Sequence, residues 1–353
     1  MKRQRAQTLI LVALMLTVLL GFLALALDGG NAYLQRRRMQ NAADAGALAG
    51  AKALCSMPQQ DWVAAAQDFC LRNNSGSDNL LSSDERCVAS SDSSKSVTVT
   101  ASTRFGAWFA RVIGINDLNI SATATGSCGP ATGTDNLLPV VVMMPDSGFA
   151  MNHYYELFEK DTAGTYGAFG WIGWPYTSGN SSCTCGTAGA KDLACTIGQP
   201  QCAPFITSDN DMNAEPIQID ANNKYYGGDG WWNFPKPGVV NANDVWDAVQ
   251  KLCCKNVLVP VYDQRQAGGA GTWYHIVGFA EFTLTATCQQ GGGKVSVCGC
   301  GAPNAEPTPD YGSSCGLTKD ATIFGYFTGA FLKGTGSSSG GNDYGTNVVY
   351  LTH

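Results

Sequence analysis

The residues able to form a catalytic site are few. His275 lies in an aromatic-rich run, and Asp263, Tyr262 and Glu281 are its candidate partners for proton transfer. His275 and Glu281 share one face of a predicted strand but are about 20 Å apart on a flat strand, too far to act as a pair. The sequence also lacks a Gly-x-Ser-x-Gly elbow, a His-Glu-x-x-His pair and a phosphate-binding loop. We therefore predict that the protein is not an enzyme and needs no cofactor.

An acidic segment offers oxygen ligands for a divalent cation. Asp209, Asp211, Asn213 and Glu215 alternate along it, so that oxygen ligands stand at positions one, three, five and seven, as at the start of an EF-hand loop. Ala214, however, stands where such a loop requires glycine. We expect a hydrophilic surface loop here, with a calcium site as the alternative.

The 14 cysteines indicate the compartment in which the protein works. They fall in even local groups within Gly/Ser/Asn-rich segments, a pattern typical of disulfides formed after export to an oxidising compartment. A zinc site at one of the two Cys-x-Cys pairs, Cys183/Cys185 or Cys298/Cys300, is the alternative. The sequence leaves the pairing open. The groups are Cys55, Cys70, Cys87 and Cys128; Cys183, Cys185, Cys195 and Cys202; Cys253 and Cys254; and Cys288, Cys298, Cys300 and Cys315.

Composition and charge exclude several classes of protein. Of the 353 residues, 44% are hydrophobic and only 14% are charged, which excludes a charge-rich disordered chain and a multi-span membrane protein. The net charge of −6 is uneven, because residues 1–52 carry +5 and the remainder carries −11. A mildly acidic body on a basic stem argues against nucleic acid as the main partner.

Residues 8–27 form an uncharged apolar run. As a helix this run is about 30 Å long, which matches the hydrocarbon core of a bilayer. Lys2, Arg3 and Arg5 precede it, so the positive-inside rule predicts a cytoplasmic amino terminus and an exported body. Cleavage of a signal peptide after Ala26 is the alternative, but the run exceeds the usual apolar core of such signals. We predict an uncleaved membrane anchor.

A second helical pattern follows the anchor, and a kink is expected at residues 28–30, where Asp is followed by two glycines. Residues 31–54 have apolar side chains mostly at spacings of three and four, which predicts a stem helix. One side of this helix carries only small residues, which allow another helix to approach closely. That partner is either the protein's own body or the stem of another molecule. The small residues are Ala43, Gly46, Ala47, Gly50 and Ala51.

The remainder of the chain predicts an α+β, β-rich and disulfide-stabilised ectodomain. Residues 55–128 show a strand, a short helix ending at Gly114 and a second strand, and we expect Trp62, Phe69, Trp108 and Phe109 in the core of this small module. Residues 137–353 show many short strands between Gly-rich turns, typical of a mostly-β outer domain such as a sandwich. The predicted strands are residues 137–144, 256–263, 273–286, 294–298, 321–332 and 347–351.

Two further patterns lie in the outer domain. Residues 244–252 predict a helix capped by Asn241 or Asn243, with Val245 on its buried side. Aromatic residues crowd positions 225–234, where they either form an exposed platform for a sugar or protein or pin a long insertion to the core. We favour pinning, because large aromatic side chains are more often buried than displayed.

The stem carries a family resemblance. RQRAQTLILVAL (3–14), LALDGGNAYLQRRRMQ (25–40) and NAADAGALAGA (41–51) together resemble the amino-terminal signature of TadG/TadE-like proteins of the tight-adherence (Tad) pilus assembly system. Two departures accompany this likeness. Asp146 is not followed by the hydroxyl residues of a von Willebrand factor A metal site, so that domain is not expected. Ala6 and Leu11 replace the Gly and Glu of a prepilin cleavage site, which again indicates an uncut anchor.

The resemblance implies a single-pass, pilin-like structural or assembly protein of a Tad-type surface appendage. The implied partners are the membrane, other Tad subunits and further copies through the stem. The implied location is the inner membrane with an extracytoplasmic body, or the cell-surface appendage itself. A membrane-anchored adhesin module that binds a carbohydrate or protein is the alternative function, and an extracytoplasmic enzyme is a third.

Overall fold

The computed structural model places the chain in two compact units. The first unit comprises Met1–Cys128 and Val349–His353, and the second comprises Gly129–Val348. The structure describes residues 4–56, 59–75, 79–93, 95–144, 150–158, 169–172, 185, 189–203, 206–208, 230–234, 242–268, 271–289, 295–301, 311, 321–331, 335–336 and 346–352.

The helices are α1 (Gln4–Leu54), α2 (Trp62–Asn73), α3 (Ser83–Arg86), α4 (Ala190–Ile197) and α5 (Asn243–Gln250), with 3₁₀ turns at Ala110–Ile113 and Pro200–Cys202. The strands are β1 (Cys87–Ser93), β2 (Ser96–Gly106), β3 (Asp117–Thr134), β4 (Val140–Met143), β5 (Tyr154–Phe158), β6 (Phe169–Trp171), β7 (Ile206–Thr207), β8 (Trp231–Phe234), β9 (Asn256–Gly268), β10 (Gly271–Cys288), β11 (Val295–Val297), β12 (Thr322–Thr328), β13 (Ala330–Phe331), β14 (Thr335–Gly336) and β15 (Thr346–Thr352). Every strand predicted from the sequence is present, and the fold class, a long apolar helix followed by a β-rich remainder, is confirmed.

The anchor and the stem belong to one helix, because α1 is helical from Gln4 through Leu54, and the kink at residues 28–30 stays a prediction. Gly29 and Gly30 have no neighbour within 4 Å of where a Cβ would stand, so no packing contact bends the helix there. A glycine costs an exposed helix only about 1 kcal/mol relative to alanine, which the hydrogen-bonded turns on either side offset.

The first unit is a helix pair packed on an antiparallel sheet. β2 pairs with β1 on one side and with β3 on the other, and its residues alternate between buried and partly exposed positions. The inward side chains of β2, with Val97 and Val99 among them, meet α1 and α2. Asp61 caps α2 by accepting hydrogen bonds from two backbone N–H groups of its first turn. Disulfides Cys55–Cys128 and Cys70–Cys87 close the unit.

The second unit is built on an eight-stranded sheet in the order β5-β12-β10-β9-β4-β6, with β8 and β11 also paired to β10. Helices α4 and α5 pack against each other, and their buried residues join one core cluster with those of β4, β6, β9, β10 and β12. Helices α4 and α5 therefore cover this face of the sheet, and the sandwich stays a prediction for the rest of the domain. Val245 and Trp246 of α5 are buried, as the periodicity indicated.

The cap of α5 differs from the prediction. The helix begins at Asn243, and Ala242 occupies the capping position without a side-chain hydrogen bond, while Asn241 lies outside the described residues. Asn243 instead accepts a 3.4 Å hydrogen bond from the amide nitrogen of Gln289. The asparagine therefore links the helix to the strand end rather than capping it.

Disulfides join separate segments of the second unit. Cys185 pairs with Cys195 at α4, and the adjacent Cys253 and Cys254 pair with Cys298 and Cys300. Two cysteine groups that are separate in sequence are thus bonded to each other. Cys202 and Cys288 are also disulfide-bonded. Cys183 and Cys315 lie outside the described residues.

Candidate functional site

The amino-terminal half of α1 is long and apolar enough to cross a membrane. The side chains of residues 11–27 are exposed except for partly covered Ala24, and large apolar ones such as Leu14, Met15 and Phe22 are more than half exposed. An exposed apolar helix of this kind is stable in lipid and unfavourable in water, because removing apolar surface from water gains about 25 cal/mol of free energy per Å². This half of α1 is the part of the candidate site that is able to span a membrane.

The small residues of the stem lie inside the first unit. Ala43, Ala47 and Ala51 are completely buried. A Cβ added to Gly46 would stand 2.8 Å from the carbonyl oxygen of Ala66 on α2, and one added to Gly50 would stand 2.8 Å from a methyl group of Val97 on β2. The stem approaches its own body so closely that nothing larger than glycine fits at these two positions.

This packing distinguishes the two interpretations of the small-residue stripe. The stripe is covered by α2 and β2 of the same chain, so another stem cannot reach it while the unit is folded. Exposed surface on the stem lies elsewhere, at Tyr33 and Leu34, which are 71% and 56% exposed. Contact with other molecules must use these outward faces.

Asp28, the first residue after the apolar run, ties α1 to the connection between β2 and β3. Residues 107–116 of this connection are named the aromatic loop here, and its ends are joined by a hydrogen bond from the N–H of Ala107 to the carbonyl of Asn116. The Asp28 carboxylate accepts hydrogen bonds from the backbone N–H groups of Trp108, Phe109 and Ala110 at 3.1, 3.0 and 2.7 Å. The stem thus holds the start of a 3₁₀ turn that begins 82 residues further along the chain.

The hydrogen bonds also determine the protonation of Asp28, which lies outside the apolar span. Burial acts to raise the pKa of this carboxyl, but three backbone N–H donors stabilise the carboxylate and leave the pKa below its ordinary value. The sequence carries no local signal for this role of Asp28, because the donors lie 80 to 82 residues further along the chain.

The predicted burial of four aromatic side chains is wrong for three of them. Phe69, Trp108 and Phe109 are 47%, 65% and 43% exposed, and Trp62 is partly buried beside the core of the first unit. Trp108 and Phe109 lie in the connection between β2 and β3, where their backbone N–H groups are bonded to Asp28 and their side chains stay exposed. The helical spacing of the aromatic residues, on which their predicted burial rested, does not show that they lie at the edge of the module.

His275 and Asp263 form the one catalytic-type pair that the described residues bring together. His275 Nδ1 lies 2.6 Å from Asp263 Oδ1, and the histidine is fully buried with its ring 5.1 Å from that of Trp231. The register of β9 against β10 shifts at this point, so Asp263 is the extra residue of a β-bulge. Bulges of this kind redirect a side chain, and here the bulge brings the carboxylate to the imidazole.

The other residues of the catalytic hypothesis lie apart from this pair. Glu281 accepts a 2.5 Å hydrogen bond from the hydroxyl of Thr328, and Tyr262 packs with its ring 5.0 Å from that of Tyr274. Burial raises the pKa of Tyr274, which keeps its hydroxyl protonated. A histidine oriented by a carboxylate is one part of a catalytic site, which also needs a nucleophile or a positioned substrate beside the imidazole.

The predicted metal ligands are either outside the described residues or bonded in disulfides. Asp209, Asp211, Asn213 and Glu215 lie outside the described residues, as does Asp146. Cys298 and Cys300 are each in a disulfide and Cys185 is bonded to Cys195, so these thiols do not bind zinc. Within the described part of the chain, His, Cys, Asp and Glu form no cluster of three suited to a metal ion.

The surface of the second unit contains a cleft of about 600 Å³. Exposed Lys251 and Lys255 line it together with Asn256 and Glu281. Of the aromatic run at 225–234, Trp231 and Trp232 are 1% and 5% exposed, which agrees with pinning rather than an open platform for these two residues. Tyr225 and Tyr226 lie outside the described residues.

These features define a class of protein: one N-terminal helix able to span a membrane, its second half packed into a small module, and a disulfide-bonded, β-rich remainder. Residues 6–53 match the family model Tad, described as "Putative Flp pilus-assembly TadE/G-like". The match covers nearly the whole of α1, and together with the apolar character of this helix it fits a Tad pilus-associated membrane protein. Comparisons with curated proteins and with solved structures gave no match.

Proposed function

We propose that the protein is a pilin-like structural component of a Tad-type surface appendage, anchored in the inner membrane by α1 and carrying its second unit on the outer side. The observation that carries this proposal is that the Tad match and the apolar helix are the same segment. A pilin-like protein needs a helix that holds it in lipid before assembly and a rigid body attached to that helix, and the first unit supplies both.

The packing of the stem supports a mechanical function. Ala43, Ala47 and Ala51 are completely buried, and the tight fit at Gly46 and Gly50 packs the helix closely against α2 and β2 of the first unit. The disulfides Cys55–Cys128 and Cys70–Cys87 add covalent links that limit unfolding under load. Force applied along the stem is therefore passed directly to the folded body.

The disulfides also support an extracytoplasmic body. Five described pairs, in both units, require an oxidising compartment in which to form and persist. The three basic residues before the apolar run favour a cytoplasmic position for the amino-terminal end of the helix. Together these features favour one orientation of the chain.

Deletion of the gene in its host tests the function. We expect the null strain to lose Tad pili by electron microscopy and to regain them when the full chain is supplied. A filament subunit will also appear in the fraction sheared from the cell surface, whereas an assembly accessory will stay with the inner membrane. Pili of normal number and length in the null strain would overturn the proposal.

Self-association is tested on the outward face of the stem. A photo-crosslinking amino acid at Leu34, which is exposed, should join the chain to a second copy or another Tad subunit during assembly. The matched control is Val88, which is 53% exposed on β1 of the same unit. Equal crosslinking at both positions would contradict a specific interface on the stem.

Ligand binding by the second unit is a second candidate function, supported by the cleft lined by Lys251 and Lys255. Two lysines at the rim favour an acidic carbohydrate or protein partner. Replacing both with serine should abolish adhesion to an acidic polysaccharide surface while pili still assemble. Unchanged adhesion in this variant would remove the cleft from consideration.

A further inference from the structure

Four large apolar side chains of the aromatic loop are exposed on the first unit. Trp108 and Phe109 are 65% and 43% exposed, Ile115 is 44% exposed, and Val112 is 88% exposed. They come from eight consecutive residues, closed into a compact turn by the hydrogen bond from the N–H of Ala107 to the carbonyl of Asn116. A concentrated apolar patch of this kind indicates a surface that is covered in use.

Asp28 fixes where this patch lies along α1. The carboxylate bonds to three consecutive N–H groups of the loop, so the loop is held beside the residue that directly follows the apolar run 8–27. One turn earlier on the same helix face, Ala24 is partly covered, unlike the other described side chains of residues 11–27. The exposed patch is therefore continuous with the end of the membrane-spanning surface.

We propose that the aromatic loop is a second membrane contact, with Trp108, Phe109, Val112 and Ile115 seated at the boundary between the lipid headgroups and acyl chains. This inference rests on α1 spanning the bilayer, as the proposed function requires. The loop sets how deep α1 sits and stops the helix from sliding or rotating, because the body is attached to the bilayer at two points.

The chemistry of the patch favours lipid over a protein partner. Tryptophan and other aromatic side chains concentrate at membrane interfaces, where an apolar ring and a polar tip are both accommodated. Exposed Arg111 lies in the same loop, where its Nε donates a 3.4 Å hydrogen bond to the carbonyl of Asn116, so a positive charge stands beside the patch and suits the phosphates of lipid headgroups. The patch also adjoins the exposed apolar side chains of α1, so one bilayer can cover both the apolar run and the aromatic loop.

Fluorescence quenching in vesicles tests the proposal on the full chain. The protein is reconstituted into phosphatidylcholine vesicles containing a lipid brominated near the headgroup end of its acyl chains. Since α1 contains no tryptophan, we expect most of the lipid-dependent quenching to come from Trp108 and to be lost in Trp108→Phe. The control is Trp62→Phe, because Trp62 is expected to lie far from the bilayer. It is one helical turn from Ala66, and Ala66 contacts Gly50, which is about 33 Å further along α1 than Asp28.

Three outcomes would count against the membrane contact. Equal quenching in the wild-type protein and in Trp108→Phe, in vesicles with which both float, overturns it. Protection of Trp108 from both brominated lipid and aqueous iodide means that a second copy or another protein covers the patch, which also overturns it. If the protein fails to float with the vesicles, the anchor itself fails, and with it both this inference and the proposed function.

A second measurement tests the same contact in a chain that keeps Trp108, so that a folding defect in Trp108→Phe cannot decide the result. A photo-crosslinking amino acid placed at Val112 should react with lipid acyl chains, detected as an added lipid mass on the peptide. The same amino acid at Val88 should remain free of lipid, since Val88 pairs with Thr100, near the level of Gly46 on the stem. Absence of lipid from Val112 in a floated, correctly folded protein would overturn the proposal independently of the fluorescence.

Discussion

The carboxylate of Asp28 accepts a 2.7 Å hydrogen bond from the backbone N–H of Ala110, 82 residues later in the chain. With the bonds from Trp108 and Phe109, this contact joins the end of the membrane-spanning run to the first loop of the folded body. It adds to the packing of the stem a second attachment of α1 to the first unit, at the end of the apolar run.

Replacing Asp28 with alanine should release the aromatic loop. The N–H groups of residues 108–110 lose a charged acceptor, and we expect their hydrogen exchange to accelerate by roughly tenfold or more. The comparison is Asp44→Ala, which removes a carboxylate bonded to Gln40 within the same helix. Unchanged exchange in the Asp28 variant would show that the loop is held by other contacts.

Acid should have the same effect on the unmodified protein. The pKa of Asp28 is lowered in the folded state, so its contribution to stability is complete above the ordinary value of 3.8 and is lost as the pH falls through the lower folded value. We expect protection of amides 108–110, corrected for intrinsic exchange rates, to hold from neutral pH to about pH 4 and to fall below it. Asp28→Asn should show no such acid step.

Replacing Gly46 with alanine should lower the free energy of unfolding, whereas the same change at Gly29 should not. Gly46→Ala forces a methyl group against the backbone oxygen of Ala66, which cannot move aside, and we expect a loss of about 1–3 kcal/mol in unfolding free energy. Gly29→Ala meets nothing and should be neutral or stabilise by up to about 1 kcal/mol. Denaturant unfolding in detergent, followed by near-ultraviolet circular dichroism, measures both, and equal stabilities would refute the packing of the stem.

The buried pair on β9 and β10 should behave as a structural unit. His275→Ala leaves the largely buried carboxylate of Asp263 without its partner and should cost about 3 kcal/mol. Replacing both residues with leucine should cost less than the single change, because no charge is then left unpaired. If the single variant keeps its stability but loses a measurable enzymatic activity, the non-enzymatic proposal fails.

The sequence predicts those features that depend on local pattern. Uninterrupted hydrophobicity identifies the anchor, alternation identifies β2 and β10, and cysteine grouping indicates disulfides. The features that it does not predict depend on contacts between distant segments. Nothing near Asp263 in the sequence reveals that a bulge turns it toward His275, and nothing near Gly46 reveals which surface lies 2.8 Å from its absent side chain. Trp108 has the same local pattern as a core residue, and only the bond to Asp28 places it at the edge.

The orientation of the chain is tested most directly by labelling lysines with a membrane-impermeant amine reagent on intact spheroplasts. Exposed Lys251 and Lys255 of the second unit should be modified without detergent, whereas Lys2 should be modified only after the membrane is opened. Modification of Lys2 in intact spheroplasts with Lys251 and Lys255 protected until lysis would contradict the account of an anchored stem with an exported, disulfide-bonded body.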